Sequence, residues 1–151
     1  MGKKLTAFVV CSAVGVIVLG GCAPSTFVKQ SAGWKTIEFN ENTQGNFDIA
    51  WQKCVDTIAR DYDLEMLDKD SGYLRTAWIY GISGGVYNRY RGRITVKFPE
   101  LKAPTKVDVK TEAQWLSNME SGIWPPGWDK TFQRDVYTAL SGRLGRTVAP
   151  E

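Results

Sequence analysis

The chain has 151 residues, long enough for one domain with a well-buried core and too short for two. Nineteen Lys and Arg stand against sixteen Asp and Glu, an excess too small to point to nucleic acid, while six each of Trp, Tyr and Phe call for a packed globule. Histidine is absent, which removes the commonest metal ligand and the usual general base and so excludes zinc and Ser-His chemistry; no cofactor is expected.

The chain opens with Lys3 and Lys4, then Leu5 to Leu19, almost wholly apolar, closing on Leu19-Gly20-Gly21-Cys22. That run is too short, and too closely followed by Gly-Gly-Cys, to span a membrane comfortably. The arrangement resembles bacterial lipoprotein signals. The resemblance implies removal of residues 1–21 by cleavage between Gly21 and Cys22, with lipid placed on the sulfur and the new amino group of Cys22. It also implies sorting to the outer membrane, because Ala23 rather than Asp follows the cysteine, with the domain facing the periplasm. The mature chain then has 130 residues and seventeen basic against sixteen acidic side chains. Cys11 leaves with the signal and Cys22 is consumed by lipid, so Cys54 has no partner and no disulfide is expected.

Residues 22–45 hold the lipidated N-terminus and a stretch rich in Ser, Thr, Asn, Gln and Gly without a sustained period, read first as a flexible tether. Extended, it would reach on the order of 70 Å at about 3.3 Å per residue. Within it, Trp34, Thr36 and Glu38 alternate with Lys35, Ile37 and Phe39, a weak strand signal.

From Asn46 the period becomes helical. Phe47, Trp51, Cys54, Val55, Ile58 and Tyr62 fall within an arc of about 100°, with Ile49 alone on the polar side. Asn46 suits the N-cap and Asp48 the first turn. This stripe is core packing, and Cys54 within it is a small buried apolar group. Leu64 to Leu67, the acidic turn Asp68-Lys69-Asp70-Ser71-Gly72 and the run Tyr73 to Tyr80 then read as a hairpin, with Gly72 suited to positive φ. The paired Asp residues lack the spacing and terminal Glu of a calcium loop.

After a glycine-bearing loop at 81–85 come the two clearest strands. Tyr90, Gly92, Ile94, Val96 and Phe98 alternate with Arg91, Arg93, Thr95 and Lys97. Val107, Val109, Thr111, Ala113 and Trp115 alternate with Lys106, Asp108, Lys110, Glu112 and Gln114, and Pro99 and Pro104 bracket the connection. Ser117 to Trp128 reads as a loop stiffened by Pro125 and Pro126. Asp129 then caps a second helix with its stripe at Phe132, Val136, Ala139 and Leu140, widened by Tyr137 and Leu144; Gly142 and Gly145 should fray its last turn.

This order predicts an α+β fold over residues 46–146: an antiparallel sheet of about four strands, one face wet, with two amphipathic helices packed on the other. The run from Phe47-Asp48-Ile49-Ala50-Trp51 through Leu64-Glu65-Met66-Leu67-Asp68-Lys69-Asp70-Ser71-Gly72-Tyr73-Leu74-Arg75-Thr76 resembles the repeated domain of the BamC (NlpB) lipoproteins of the outer-membrane β-barrel assembly machine. There a helix with a central Trp runs into a strand, an acidic turn with Gly, and a second strand. The likeness covers about residues 46 to 115, extending with the second helix toward 146. It implies a non-catalytic accessory or scaffold role beside an envelope protein; the alternative is a lipoprotein subunit of a secretion or transport apparatus.

Three groups are candidates for function. Arg89, Arg91 and Arg93 share a strand face with Lys97, near Lys106 and Lys110, and are read first as a solvated face with cross-strand charge pairs, otherwise as a site for an anionic partner. Trp124, Pro125, Pro126 and Trp128 either close the end of the core or present a stiff contact to another protein. Asp61, Asp63 and Glu65 form the single carboxylate cluster a hydrolase could use, and helix-end acids of this kind are ordinarily exposed caps.

Overall fold

The computed structural model describes residues 23–116 and 122–145. The signal segment, Cys22, the first part of the expected proline loop and Arg146 lie outside the described residues.

Both helices form where their caps and stripes place them. In α1 (Phe47–Ala59) the Asn46 side chain accepts from the Ile49 amide at 3.1 Å, and Ala50, Trp51, Cys54 and Ile58 are buried while Ile49 faces solvent. In α2 (Lys130–Leu144) Asp129 accepts from the Phe132 amide at 2.7 Å, and Phe132, Val136, Leu140 and Leu144 are buried. The last turn of α2 is helical through Leu144 and docked on Phe39 and Asn40. Leu144 is fully buried, its carbonyl accepts from Asn40 N at 2.9 Å, and Gly145 bridges Phe39 so closely that a Cβ there would stand 2.5 Å from the Glu38 carbonyl.

Among the described residues the sheet is antiparallel with eight strands, not about four. They are β1 (Phe27–Val28), β2 (Lys35–Glu38), β3 (Leu64–Asp68), β4 (Tyr73–Thr76), β5 (Ile79–Tyr80), β6 (Tyr90–Lys97), β7 (Lys106–Trp115) and β8 (Pro126–Asp129). The expected hairpin and two long strands are present. The long pair β6–β7 is the spine, running from Tyr90↔Trp115 to Lys97↔Asp108. Each outer edge of this pair is shared by two short strands: β4 and β5 line up along β6, and β2 and β8 along β7, with β3 and β1 completing the two sides. The four extra strands are two to four residues long. One of them, β2, falls where the weak alternation at residues 34–39 stands; β1, β5 and β8 carry no such signal, and pairing to an edge of the spine, or for β1 to β8, makes them strands. The run Tyr73 to Tyr80 divides after Thr76: Ala77 still donates to the Asp63 carbonyl at 2.9 Å, while Ile79 and Tyr80 pair with Gly92 and Arg91 of β6. The expected loop at Pro126–Trp128 is likewise strand β8, with Pro126 at its first position, where a missing N–H is tolerated.

The segment expected as a tether belongs to the sheet. Ile37 is fully buried and Phe39 nearly so, both inside the core, and β1 docks on β8 with Phe27↔Asp129 and Val28↔Trp128. Residues 27–45 are therefore part of the domain, whose start moves well before residue 46. Gly127 permits the docking, since a Cβ there would meet the Phe27 ring at 2.3 Å and the Val28 carbonyl at 2.5 Å. Gly127→Ala is expected to displace β1 and to cost about 1–3 kcal/mol. Amide hydrogen exchange would detect this as faster exchange at Phe27 and Val28, with the β6–β7 amides unchanged.

Both helical stripes and the inner face of the sheet form one core, with Leu74, Tyr90, Ile94, Val96, Val107, Val109 and Ala113 supplied by the strands and Phe98 by the residue after β6. At the far end from Tyr90, the turn 68–72 is closed by Asp68, whose carboxylate accepts from the amides of Asp70 and Ser71 and from the Ser71 hydroxyl, while Gly72 takes φ of 65°. Cys54 is a free, fully buried thiol, and burial pushes its pKa up.

A cation–aromatic ladder on the outer sheet face

On β6 and β7 the polar residues face outward, and the register sets them opposite one another: Arg91 against Gln114, Arg93 against Glu112, Thr95 against Lys110 and Lys97 against Asp108. The Arg93 guanidinium meets Glu112 at 2.9 Å, and Lys110 approaches the same carboxylate at 3.4 Å. Burial pushes the Glu112 pKa up, but the hydrogen bond and charge of Arg93, with Lys110 behind it, outweigh that and hold it below the ordinary carboxylate value. Much of the cationic face is thereby neutralised within the sheet.

Arg91 is held differently. Its Nε and Nη2 both donate to Gln114 Oε1, at 2.9 and 2.7 Å, and Nη1 donates to the Tyr80 hydroxyl at 3.3 Å. Its guanidinium carbon lies 4.4 Å from the centre of the Trp78 ring and 4.1 Å from that of Trp124. The guanidinium carbon of Arg93 lies 4.5 Å from the centre of the same Trp78 ring. Trp124, Arg91, Trp78 and Arg93 thus form one connected ladder, ending at Glu112. Among the described residues no carboxylate reaches ion-pair distance of Arg91, so its charge is met by π faces and neutral acceptors.

Arg91, Arg93 and Trp124 are brought together here, and Arg89 is not. Arg89 precedes β6, in the turn where its amide donates to the Val86 carbonyl at 2.9 Å, and is exposed. Pro125 is buried and Pro126 exposed, while Trp128 sits half-buried on β8. Sequence reasoning missed Trp78, though the aromatic run through Tyr80 contains it. A small cavity of about 40 Å³ opens beside the ladder, lined by Ser31, Ala32, Trp78, Glu112, Gln114 and Gly127, room for about one water molecule.

With three of its five N–H groups donated and two indole rings against it, Arg91 is no open fork for phosphate. Chemically, the face offers rigid, half-buried indoles fixed by two arginines, a surface that loses little side-chain entropy when a partner covers it. Two of the three carboxylates read as a hydrolase candidate are paired: Asp61 with Arg60 at 2.9 Å and Glu65 with Arg75 at 3.0 Å. Among the described residues no group of three or more Cys, Asp or Glu comes together to hold a metal ion. No protein-family model matches the sequence, and no curated protein matches it.

Proposed function

We propose that the chain is a lipid-anchored periplasmic domain at the outer membrane, a non-catalytic accessory or scaffold in an envelope complex of the β-barrel-assembly kind. The observation that carries the reading is the Leu19-Gly20-Gly21-Cys22 run behind a short apolar segment with two leading lysines. The likeness of residues 46–115 to the BamC-type repeated domain adds the class of complex. The ladder of Trp124, Arg91, Trp78 and Arg93 supports binding as the mode of action, because preorganised Trp and Arg are the side chains that dominate protein interfaces.

The test is affinity capture of the acylated protein from detergent-solubilised envelopes after in-cell crosslinking. A barrel-assembly component is expected among the captured proteins. Trp78→Ala combined with Trp124→Ala is expected to lower its recovery at least tenfold, as loss of hot-spot residues does, while the half-buried positions leave the fold intact. Recovery of secretion or transport subunits instead would move the domain to that apparatus, and unchanged recovery from the double variant would remove the ladder from the interface.

A further inference from the structure

The domain is held close to its anchoring point. The Thr26 hydroxyl donates to the Asp129 carboxylate, which also takes the Tyr90 hydroxyl, and the Thr26 carbonyl accepts from Lys130 N at 3.0 Å. Phe27 sets its ring edge-on to Tyr90, with centroids 5.9 Å apart. The four residue steps from Cys22 to Thr26 span at most about 14 Å at ~3.5 Å each. A turn closed by Phe27 N donating to the Pro24 carbonyl at 2.9 Å shortens that reach. A lipid on Cys22 therefore has to lie near the place where Thr26 enters the fold.

That place adjoins loop 81–89. Ser83 donates to the same Asp129 carboxylate at 2.5 Å, and Gly85 lies against the Tyr90 ring so tightly that a Cβ would meet it at 2.3 Å. The loop is fixed in shape: Gly81 N donates to the Tyr90 carbonyl at 2.7 Å, Tyr90 N to the Val86 carbonyl at 3.0 Å, and Ser83 is held at φ of 52°. At its tip stand Val86 and Tyr87, 67% and 68% exposed, the most exposed large apolar side chains among the described residues. Tyr87 packs on the exposed Tyr80 with centroids 5.7 Å apart, and Arg89 follows two residues on. Exposed Ile123, beside Trp124, continues the patch across Arg91.

We infer that this end of the domain is a membrane-contact surface: Val86, Tyr87 and Tyr80 seat in the headgroup layer of the bilayer that holds the Cys22 lipid, with Arg89 against its phosphates. Tyrosines with an apolar body and a polar tip favour that depth, and a cation beside them meets anionic headgroups. The turn 68–72, at the other end of β6, then points away from the membrane. The inference rests on acylation of Cys22, because the short reach from Cys22 to Thr26 is what brings the loop to the lipid.

The experiment uses the mature acylated protein in a Cys54→Ala background, reconstituted into vesicles of phosphatidylethanolamine and phosphatidylglycerol containing a shallow doxyl-labelled phospholipid. An environment-sensitive fluorophore is attached at Asn88→Cys or, in a separate sample, at Asp70→Cys. Quenching at position 88 is expected to exceed that at position 70 at least threefold, and Val86→Asp with Tyr87→Asp is expected to bring it down to the level at 70. The mass of the Cys22 peptide is read from the same samples. Equal quenching at the two positions in an acylated sample overturns the membrane-contact surface alone and leaves the patch to a protein partner; quenching at 88 that survives the double substitution overturns it too. A Cys22 peptide without acyl mass overturns the anchor and the surface together.

Discussion

Asp129→Ala is expected to destabilise the domain by about 3–5 kcal/mol, read as a lower midpoint in urea unfolding. Asp129 is fully buried and accepts from four sources at once: the Phe132 amide, which makes it the N-cap of α2, and the hydroxyls of Ser83, Tyr90 and Thr26. Its removal uncaps a helix and leaves buried hydroxyls without an acceptor, so the loss exceeds the roughly 1 kcal/mol typical of a cap alone. It would also free Ser83 from the bond that steadies its left-handed backbone. Burial pushes the Asp129 pKa up, yet the donated hydrogen bonds outweigh it and the net value lies below the ordinary 3.8. A depressed folded pKa contributes stability that is present above the ordinary value and lost as pH falls through the folded value. Tyr90 runs the other way: burial first, then the Asp129 carboxylate, raise its pKa above 10.0, so its contribution is complete below pH 10 and is lost as pH rises beyond it. Asp129→Asn should therefore flatten the loss of stability below pH 4, and an acid limb identical to that of the wild type would contradict this account.

Phe98→Ala is expected to cost about 3–5 kcal/mol and to lower the melting temperature by roughly 10–20 °C. Phe98 is 2% exposed and sits at the junction of three rings: edge-on to Phe47 at 5.2 Å, and tilted against Trp51 at 5.9 Å and Phe39 at 6.0 Å. Its backbone amide also donates to the Gly72 carbonyl at 2.9 Å, so the β3–β4 turn leans on the same residue. Phe39 comes from the segment after β2, Phe47 and Trp51 from α1, and Phe98 from the residue just after β6. The cavity left by alanine would therefore open between elements that do not otherwise share a ring contact. Phe98→Leu, closer in volume, should cost about 1–1.5 kcal/mol. Equal losses for the two substitutions would show that packing at this junction is not what holds the segments together.

Much of the scaffold was legible in the sequence because it follows long periods. Ten residues of strict alternation in β7 and thirteen of helical period in α1 repeat often enough to identify their elements, and Asn46, Asp129 and Gly72 announce caps and a turn through side-chain chemistry alone. The shortest strands were not legible. Phe27–Val28 and Ile79–Tyr80 have two residues each, and their conformation comes from a partner edge far along the chain. Lys35–Glu38 shows a weak alternation and is a strand, but its membership of the domain was not legible, since it comes from Ile37 pairing with Val107 about seventy residues on. At the candidate site, Arg91, Arg93 and Trp124 could be singled out by type and position. Their meeting could not, since it depends on Trp78, thirteen residues before Arg91, turning outward where the sheet passes from β4 to β5. Asp129 was readable as a cap and not as a hub, because Tyr90 and Ser83 lie 39 and 46 residues away.

The claim on which localisation, partner class and membrane contact all depend is the lipid on Cys22. Mass spectrometry of the N-terminal peptide of the mature protein, taken from fractionated envelopes, tests it most directly. The account predicts a chain that begins at Cys22, carries a diacylglyceryl thioether and an N-acyl group, and sediments with the outer membrane. It also predicts a Cys22→Ser variant that is soluble and unfolds in urea at the wild-type midpoint. A mature chain that retains residues 1–21, or an unmodified Cys22 in the membrane fraction, would contradict it.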